Sequence, residues 1–124
     1  MEVNTIQKEN YIVLQLKGSL DIYTSLDLKN DVDGLKLKKD IAVIFDLNNV
    51  DYVDSSGIGT LIKIVNQVQE AGGQFYITGL KPMIEKIFKV AGLMTYFTIL
   101  SAEEANSQFP VSWNSSSYPS KKGF

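Results

Sequence analysis

Residues 41–73 have the sequence IAVIFDLNNVDYVDSSGIGTLIKIVNQVQEAGG, in which a short apolar run precedes a segment of helical periodicity. The continuous apolar run over residues 41–45 is typical of a central strand that is covered on both faces. From Ser55 onward apolar residues recur at helical spacing, and Gly72 with Gly73 predicts the end of this helix. The segment therefore predicts a buried strand, a turn-rich connection and an amphipathic helix, in that order.

Strands and helices alternate along the rest of the chain as well, which is the signature of an α/β sheet. Alternation of apolar and polar residues indicates a strand, whereas spacings of three and four indicate a helix. The predicted strands are residues 11–17, 41–45, 74–78 and 96–100, and the predicted helices are residues 24–36, 55–71, 82–91 and a short segment after residue 101.

Local sequence patterns support three of the predicted helix starts. Thr24 and Asp27 have the spacing of a capping box, and so do Ser101 and Glu104. Pro82 suits the first turn of its helix, where a missing N–H costs nothing.

Composition limits the chemistry available to this chain. Its 124 residues, 44% of them hydrophobic, are enough for one core, and the net charge of -2 provides no basic excess for binding nucleic acid. The chain has no Cys and no His, which excludes thiolate nucleophiles, imidazole bases and most zinc sites. We therefore expect a single domain that lacks thiol and imidazole chemistry, holds no metal and does not bind nucleic acid directly.

Two further expectations concern location and the end of the chain. The first residues do not resemble a secretory signal, and no apolar run is long enough to span a bilayer, so we expect a cytoplasmic protein without membrane attachment. From about residue 107 the sequence becomes rich in Ser, contains Pro and loses its periodicity. We therefore expect a folded domain over residues 1–106 and a disordered tail over residues 107–124.

The segment DSSGIG at residues 54–59 lies where the predicted connection turns into the second helix. Asp is a favoured N-cap, and a Gly in a first turn permits close packing, so the segment could be purely structural. Each Gly inside a helix nevertheless costs about 1 kcal/mol relative to Ala. A helix N-terminus would also stabilise a phosphate carried by a Ser. Residues alone leave both interpretations open.

The 54–59 segment, together with FDL at residues 45–47 and GSLD at residues 18–21, resembles the STAS-domain anti-sigma factor antagonists of bacteria. The similarity extends over about residues 3–106. It implies a single STAS-type α/β domain, with a mixed four- to five-stranded sheet and helices packed mainly on one face. It also implies that the protein is not an enzyme, and that Ser55 is the phosphoacceptor for a partner that is both an ATP-dependent serine kinase and an anti-sigma factor.

The resemblance further implies partner switching. The unphosphorylated protein would bind the anti-sigma factor and release the sigma factor, phosphorylation would abolish binding, and a PP2C-type phosphatase would restore it. ATP would be used by the kinase, so no cofactor is expected for this chain. The residues expected to bind the partner or to surround the phosphorylation site are Asp21, Tyr23, Tyr52, Asp54, Ser56, Gly57, Ile58 and Gly59.

Other functions have less support from the sequence. A constitutive STAS scaffold, whose serines are never modified, is the main alternative. A receiver domain with Asp46 as phosphoacceptor would need an acidic pair after the first strand, which is missing. A Ser nucleophile aided by Asp21 or Asp54 would lack an evident activating base. The lysines at positions 81, 86 and 89 are interpreted as solvated surface.

Overall fold

The computed structural model describes residues 1–111, which form a five-stranded sheet and four helices. The strands are β1 (Glu2–Gln7), β2 (Tyr11–Leu20), β3 (Ala42–Val53), β4 (Gln74–Thr78) and β5 (Thr98–Leu100). The helices are α1 (Ser25–Asp33), α2 (Ser55–Glu70), α3 (Pro82–Val90) and α4 (Ala102–Gln108). The strand order is β1-β2-β3-β4-β5, with β1 antiparallel to β2 and the other neighbours parallel. The predicted mixed α/β sheet is confirmed.

β3 is the central strand, and its side chains alternate between two apolar layers. Phe45 is fully buried in the main core, which α1, α2 and α3 close from one side. Ile44 points to the opposite face, where it packs in a smaller cluster with Val13 and Ala42. This arrangement explains why residues 41–45 are continuously apolar.

The chain after α4 returns to the second face of the sheet. The ring of Phe109 lies 5.3 Å from the ring of Tyr11 and 5.3 Å from that of Tyr76, measured between centroids. The Tyr11 hydroxyl donates a hydrogen bond of 2.7 Å to the carbonyl oxygen of Pro110. Residues 109–111 thus pack against the sheet although their sequence has no periodicity.

The prediction therefore places the start of the disordered tail too early in the chain. Residues 107 and 108 complete α4, and Phe109 and Val111 contribute to the cluster on the second face. Aromatic contact area, which no sequence period reveals, holds this short segment in place. Residues 112–124 lie outside the described residues, and their disorder stays a prediction.

Two strands differ strongly from the prediction, and two differ by two or three residues, since β2 runs to Leu20 rather than to residue 17 and β5 begins at Thr98 rather than at residue 96. β1 was not predicted because it is an edge strand, in which only Val3 and Ile6 are half-buried. β3 continues to Val53 through the segment that its polar residues mark as turn-rich. This extension pairs with the end of β2, where Leu20 lies opposite Val53, so backbone pairing and not side-chain polarity determines its length. The extension delivers the chain to the start of α2.

Helix ends agree with the predicted patterns in part. Ser101 and Glu104 form both bonds of the capping box, and Gly72 adopts a positive φ of 87° after α2. The capping box predicted for Thr24 is wrong, because the Thr24 side chain makes no cap bond to α1. α1 ends at Asp33 rather than at residue 36. No helix within residues 1–111 has the length and hydropathy needed to cross a membrane.

Candidate functional site

The start of α2 is capped by Asp54. Its backbone is extended, and its carboxylate oxygen Oδ1 accepts a hydrogen bond of 3.0 Å from the N–H of Gly57. This is the N-cap geometry that the sequence predicts. The first N–H groups of a helix have no partner inside it, so those of Ser55 and Ser56 lie at the positive end of the helix dipole.

The two serines differ in accessibility. Ser55 is exposed to solvent, whereas Ser56 is half-buried. An exposed hydroxyl at this position is open to a modifying enzyme. Ser55 is therefore the better placed of the two for modification by a second protein.

The two glycines differ in their surroundings as well. A Cβ at Gly57 would overlap the carbonyl oxygen of Leu20 and lie 2.8 Å from Leu20 Cγ. The same carbonyl accepts a hydrogen bond of 3.2 Å from the Asp54 N–H. A Cβ at Gly59, in contrast, would meet nothing within 4 Å. Packing explains Gly57, whereas it does not explain Gly59.

Asp21 organises the turn between β2 and α1. Its Oδ1 accepts hydrogen bonds from the N–H groups of Tyr23 (2.9 Å) and Thr24 (3.0 Å). The Thr24 hydroxyl accepts from the Asp21 N–H at 3.0 Å and donates to the carbonyl oxygen of Ser19 at 2.7 Å. The bond from the Thr24 N–H, helped by that from Tyr23, lowers the pKa of Asp21. Asp21 therefore fixes the backbone of the turn between β2 and α1.

This pKa predicts a pH dependence for Asp21→Asn. A carboxylate with a lowered pKa stabilises the fold above its unfolded pKa, and the contribution is lost as pH falls through the folded value. Asn can accept the same hydrogen bonds but carries no charge, so the variant should be less stable than the wild type at pH 7, with a difference that shrinks as the pH falls below about 4. Urea unfolding at several pH values measures this difference.

Asp31→Asn is the control, since Asp31 is an exposed carboxylate on the adjoining helix. If both variants differ from the wild type by the same pH-independent amount, the assigned role of Asp21 is wrong.

Two grooves flank the start of α2. The first, between α1 and α2, is lined by Ile22, Ser25, Leu26, Lys29, Ser56, Gly59, Thr60 and Lys63. The second, between α2 and α3, is lined by Val53, Asp54, Ser55, Ile58, Lys86, Ile87, Val90 and Ala91. Ser55 and Ser56 thus belong to different grooves.

Apolar side chains are exposed around these grooves. Beside the first groove, Ile22, Tyr23 and Leu26 expose 65%, 84% and 66% of their surface. Val90 is 82% exposed beside the second groove, and Tyr52 is 51% exposed on the preceding strand. A soluble domain seldom leaves large apolar side chains clustered in this way unless the surface contacts something.

The structure brings most of the predicted site residues together, and it adds others. Tyr23 is exposed on the Asp21 turn, Gly59 lies in the first groove and Ile58 in the second. Sequence reasoning missed Ile22, just before α1, and Leu26, within it, because both are apolar yet have exposed side chains. Lys86, which the sequence predicts to be solvated surface, is exposed and lines the same groove as Ser55.

The charges near the site are partly compensated. Asp51 forms an ion pair of 2.6 Å with Lys81. Both side chains are exposed, so the pair contributes little stability. No group of three or more carboxylates among residues 1–111 is placed to hold a metal ion. The exposed apolar side chains around the two grooves suit a surface that contacts another molecule.

Comparison with known proteins identifies the family. The STAS domain model matches residues 2–106. The anti-sigma-B factor antagonist of Staphylococcus aureus is 24% identical over 93 residues, which cover 75% of this chain and 86% of that protein. An anti-sigma factor antagonist from Mycobacterium paratuberculosis has a similar structure, with a TM-score of 0.73, 18% identity, and coverage of 86% of this chain and 91% of that one.

The anti-sigma factor antagonist SpoIIAA has been solved in two forms that share this fold. The unphosphorylated form has a TM-score of 0.68 at 18% identity and covers 86% of this chain and 95% of that one. The phosphorylated form, from Bacillus, has a TM-score of 0.62 at 18% identity and covers 86% and 98%. The resemblance predicted from residues 54–59 is confirmed, and the chain belongs to the STAS domain family.

Proposed function

We propose that this protein is an anti-sigma factor antagonist whose binding to an anti-sigma factor is switched off by phosphorylation of Ser55. The observation that carries the proposal is the exposed hydroxyl of Ser55 at the start of α2, between two grooves with apolar rims. The names of the curated and structural relatives support the antagonist role. The Bacillus relative that was solved in a phosphorylated form supports the switch.

The exposed apolar side chains supply the binding energy in this proposal. Aromatic and aliphatic anchors that lose their water on association dominate most protein interfaces. Tyr23, Ile22 and Leu26 lie on one side of α2, and Val90 lies on the other. An anti-sigma factor that covers both sides would also cover Ser55 and would release its sigma factor in exchange.

In the proposed modification, the partner is also the serine kinase. The γ-phosphoryl group of ATP passes to the Ser55 oxygen, the hydroxyl proton goes to a base, and ADP leaves. In this proposal the base and the ATP site belong to the partner, because a protein kinase supplies both from its own active site. A PP2C-type phosphatase would return the protein to its binding form, and the exchange would take place in the cytoplasm, where sigma factors act.

Phosphate mapping tests this proposal. The purified chain is used to capture partners, and a captured protein with a kinase-like sequence is incubated with the chain and ATP. Mass spectrometry is expected to find one phosphate at Ser55, present in the Ser56→Ala variant and absent from Ser55→Ala. Phosphate on Ser56 alone, or on neither serine, would show that the assignment is wrong.

A constitutive STAS scaffold is the second candidate function. It is favoured by the Asp54 cap and by the close contact of Gly57 with Leu20, because both give the 54–59 segment a structural purpose. The same experiment separates the two functions, since a scaffold would bind its partner and remain unmodified in the presence of ATP.

A further inference from the structure

The groove between α2 and α3 has both Ser55 and a cation in its lining. Among the described residues that line it, Lys86 is the one cation, and its side chain is exposed. Its flexible four-carbon stem lets the ammonium group reach across such a groove.

The other lysines of this region already have partners. Lys89 lies 3.3 Å from Glu85, and Lys81 lies 2.6 Å from Asp51. Lys86 has no ion pair within residues 1–111. Its charge is therefore available to an anion that appears in the groove.

Apart from the positive end of α2 itself, the groove offers little that would stabilise a phosphoryl group on Ser55. The one titratable anion that lines the groove is Asp54, whose Oδ1 is held by the Gly57 N–H. From α3 come Val90 and Ala91, at the helix end that carries negative partial charge. From β3 comes Val53, which has no charge. Lys86 is the group that can offset Asp54 and the end of α3.

We propose that Lys86 pairs with the phosphoryl group of phosphorylated Ser55 and holds it across the groove between α2 and α3. This inference rests on the proposed modification of Ser55. The pair draws the phosphate over Ile58 and Ile87, so the modified protein offers the anti-sigma factor a covered groove as well as a negative charge. Lys86 is a positioning residue, because it leaves the chemistry of phosphoryl transfer to the partner.

The test uses protein with phosphoserine installed at position 55 during translation, so that no kinase is needed. Phosphorus NMR follows the second ionisation of the phosphate in otherwise wild-type protein, in Lys86→Gln and in Lys89→Gln. A neighbouring cation favours the dianion, so at low salt the phosphate pKa is expected to be about half a unit lower in otherwise wild-type protein than in the Lys86→Gln variant. Lys89→Gln, which removes a paired lysine from the same helix, is expected to titrate like the wild type.

Equal titration of wild type and Lys86→Gln would overturn the inference, and so would an equal shift in Lys89→Gln. Neither result would bear on whether a kinase modifies Ser55. Conversely, failure to find a kinase would not change this titration, so the inference and the proposed function can fail separately.

Discussion

Replacing Ser55 by Asp is expected to weaken binding of the proposed anti-sigma factor by at least about tenfold, whereas Ser55→Ala is expected to retain affinity within about twofold. Ser55 lies between the apolar rims of the two grooves, so a charge at this position would be brought close to any partner that covers both. A negative charge at position 55 that is held about 6 Å from a negative charge of the partner costs about 3 kcal/mol at an effective dielectric constant near 20. Even if salt halves this cost, the remainder corresponds to about tenfold in affinity.

Calorimetric titration with the captured partner measures these affinities. Ser107→Asp is the matched control, because Ser107 is exposed on α4, which contributes no residue to either groove. This control should bind like the wild type although it carries the same net charge as Ser55→Asp. Raising the salt concentration should narrow the difference between Ser55→Asp and wild type. Indistinguishable binding by Ser55→Ala and Ser55→Asp would contradict the switch.

The sequence predicts those parts of the fold that have a clear period. α2 is the best example, because Leu61, Val65 and Val68 recur at helical spacing and all lie in the core. β1 and the second half of β3 escape prediction for a physical reason. An edge strand and a partly exposed strand can carry polar side chains, since their hydrogen bonds come from the backbone.

The site is predictable in the same uneven way. Asp54 and Ser55 are adjacent in sequence, so cap and hydroxyl could be identified together. Lys86 lies on another helix, and only the fold brings α3 to the groove that Ser55 also lines. Ile22, just before α1, and Leu26, within it, resemble ordinary core residues until the structure shows that their side chains are exposed.

Gly57→Ala is expected to lower the free energy of unfolding by about 2 kcal/mol. This is the upper end of the usual cost of overpacking, about 3 kcal/mol, minus the gain of about 1 kcal/mol because Ala is the better helix former. The new methyl group would overlap the Leu20 carbonyl oxygen and lie 2.8 Å from Leu20 Cγ. Because that oxygen belongs to the backbone of β2, a side-chain rotation at Leu20 cannot relieve the overlap. The cost must be met by moving the start of α2 away from β2.

Gly59→Ala is the matched control, since the same methyl group two residues later meets nothing within 4 Å. It should raise the free energy of unfolding by up to about 1 kcal/mol, because Ala is the better helix former. Urea unfolding of both variants measures the contrast, and equal stability would show that contact with Leu20 does not determine the residue at position 57. Gly59→Ala could be the more stable protein and yet bind the captured partner less tightly. In that case the open space beside Gly59 belongs to the interface, and the Gly is kept for binding although it makes the helix less stable.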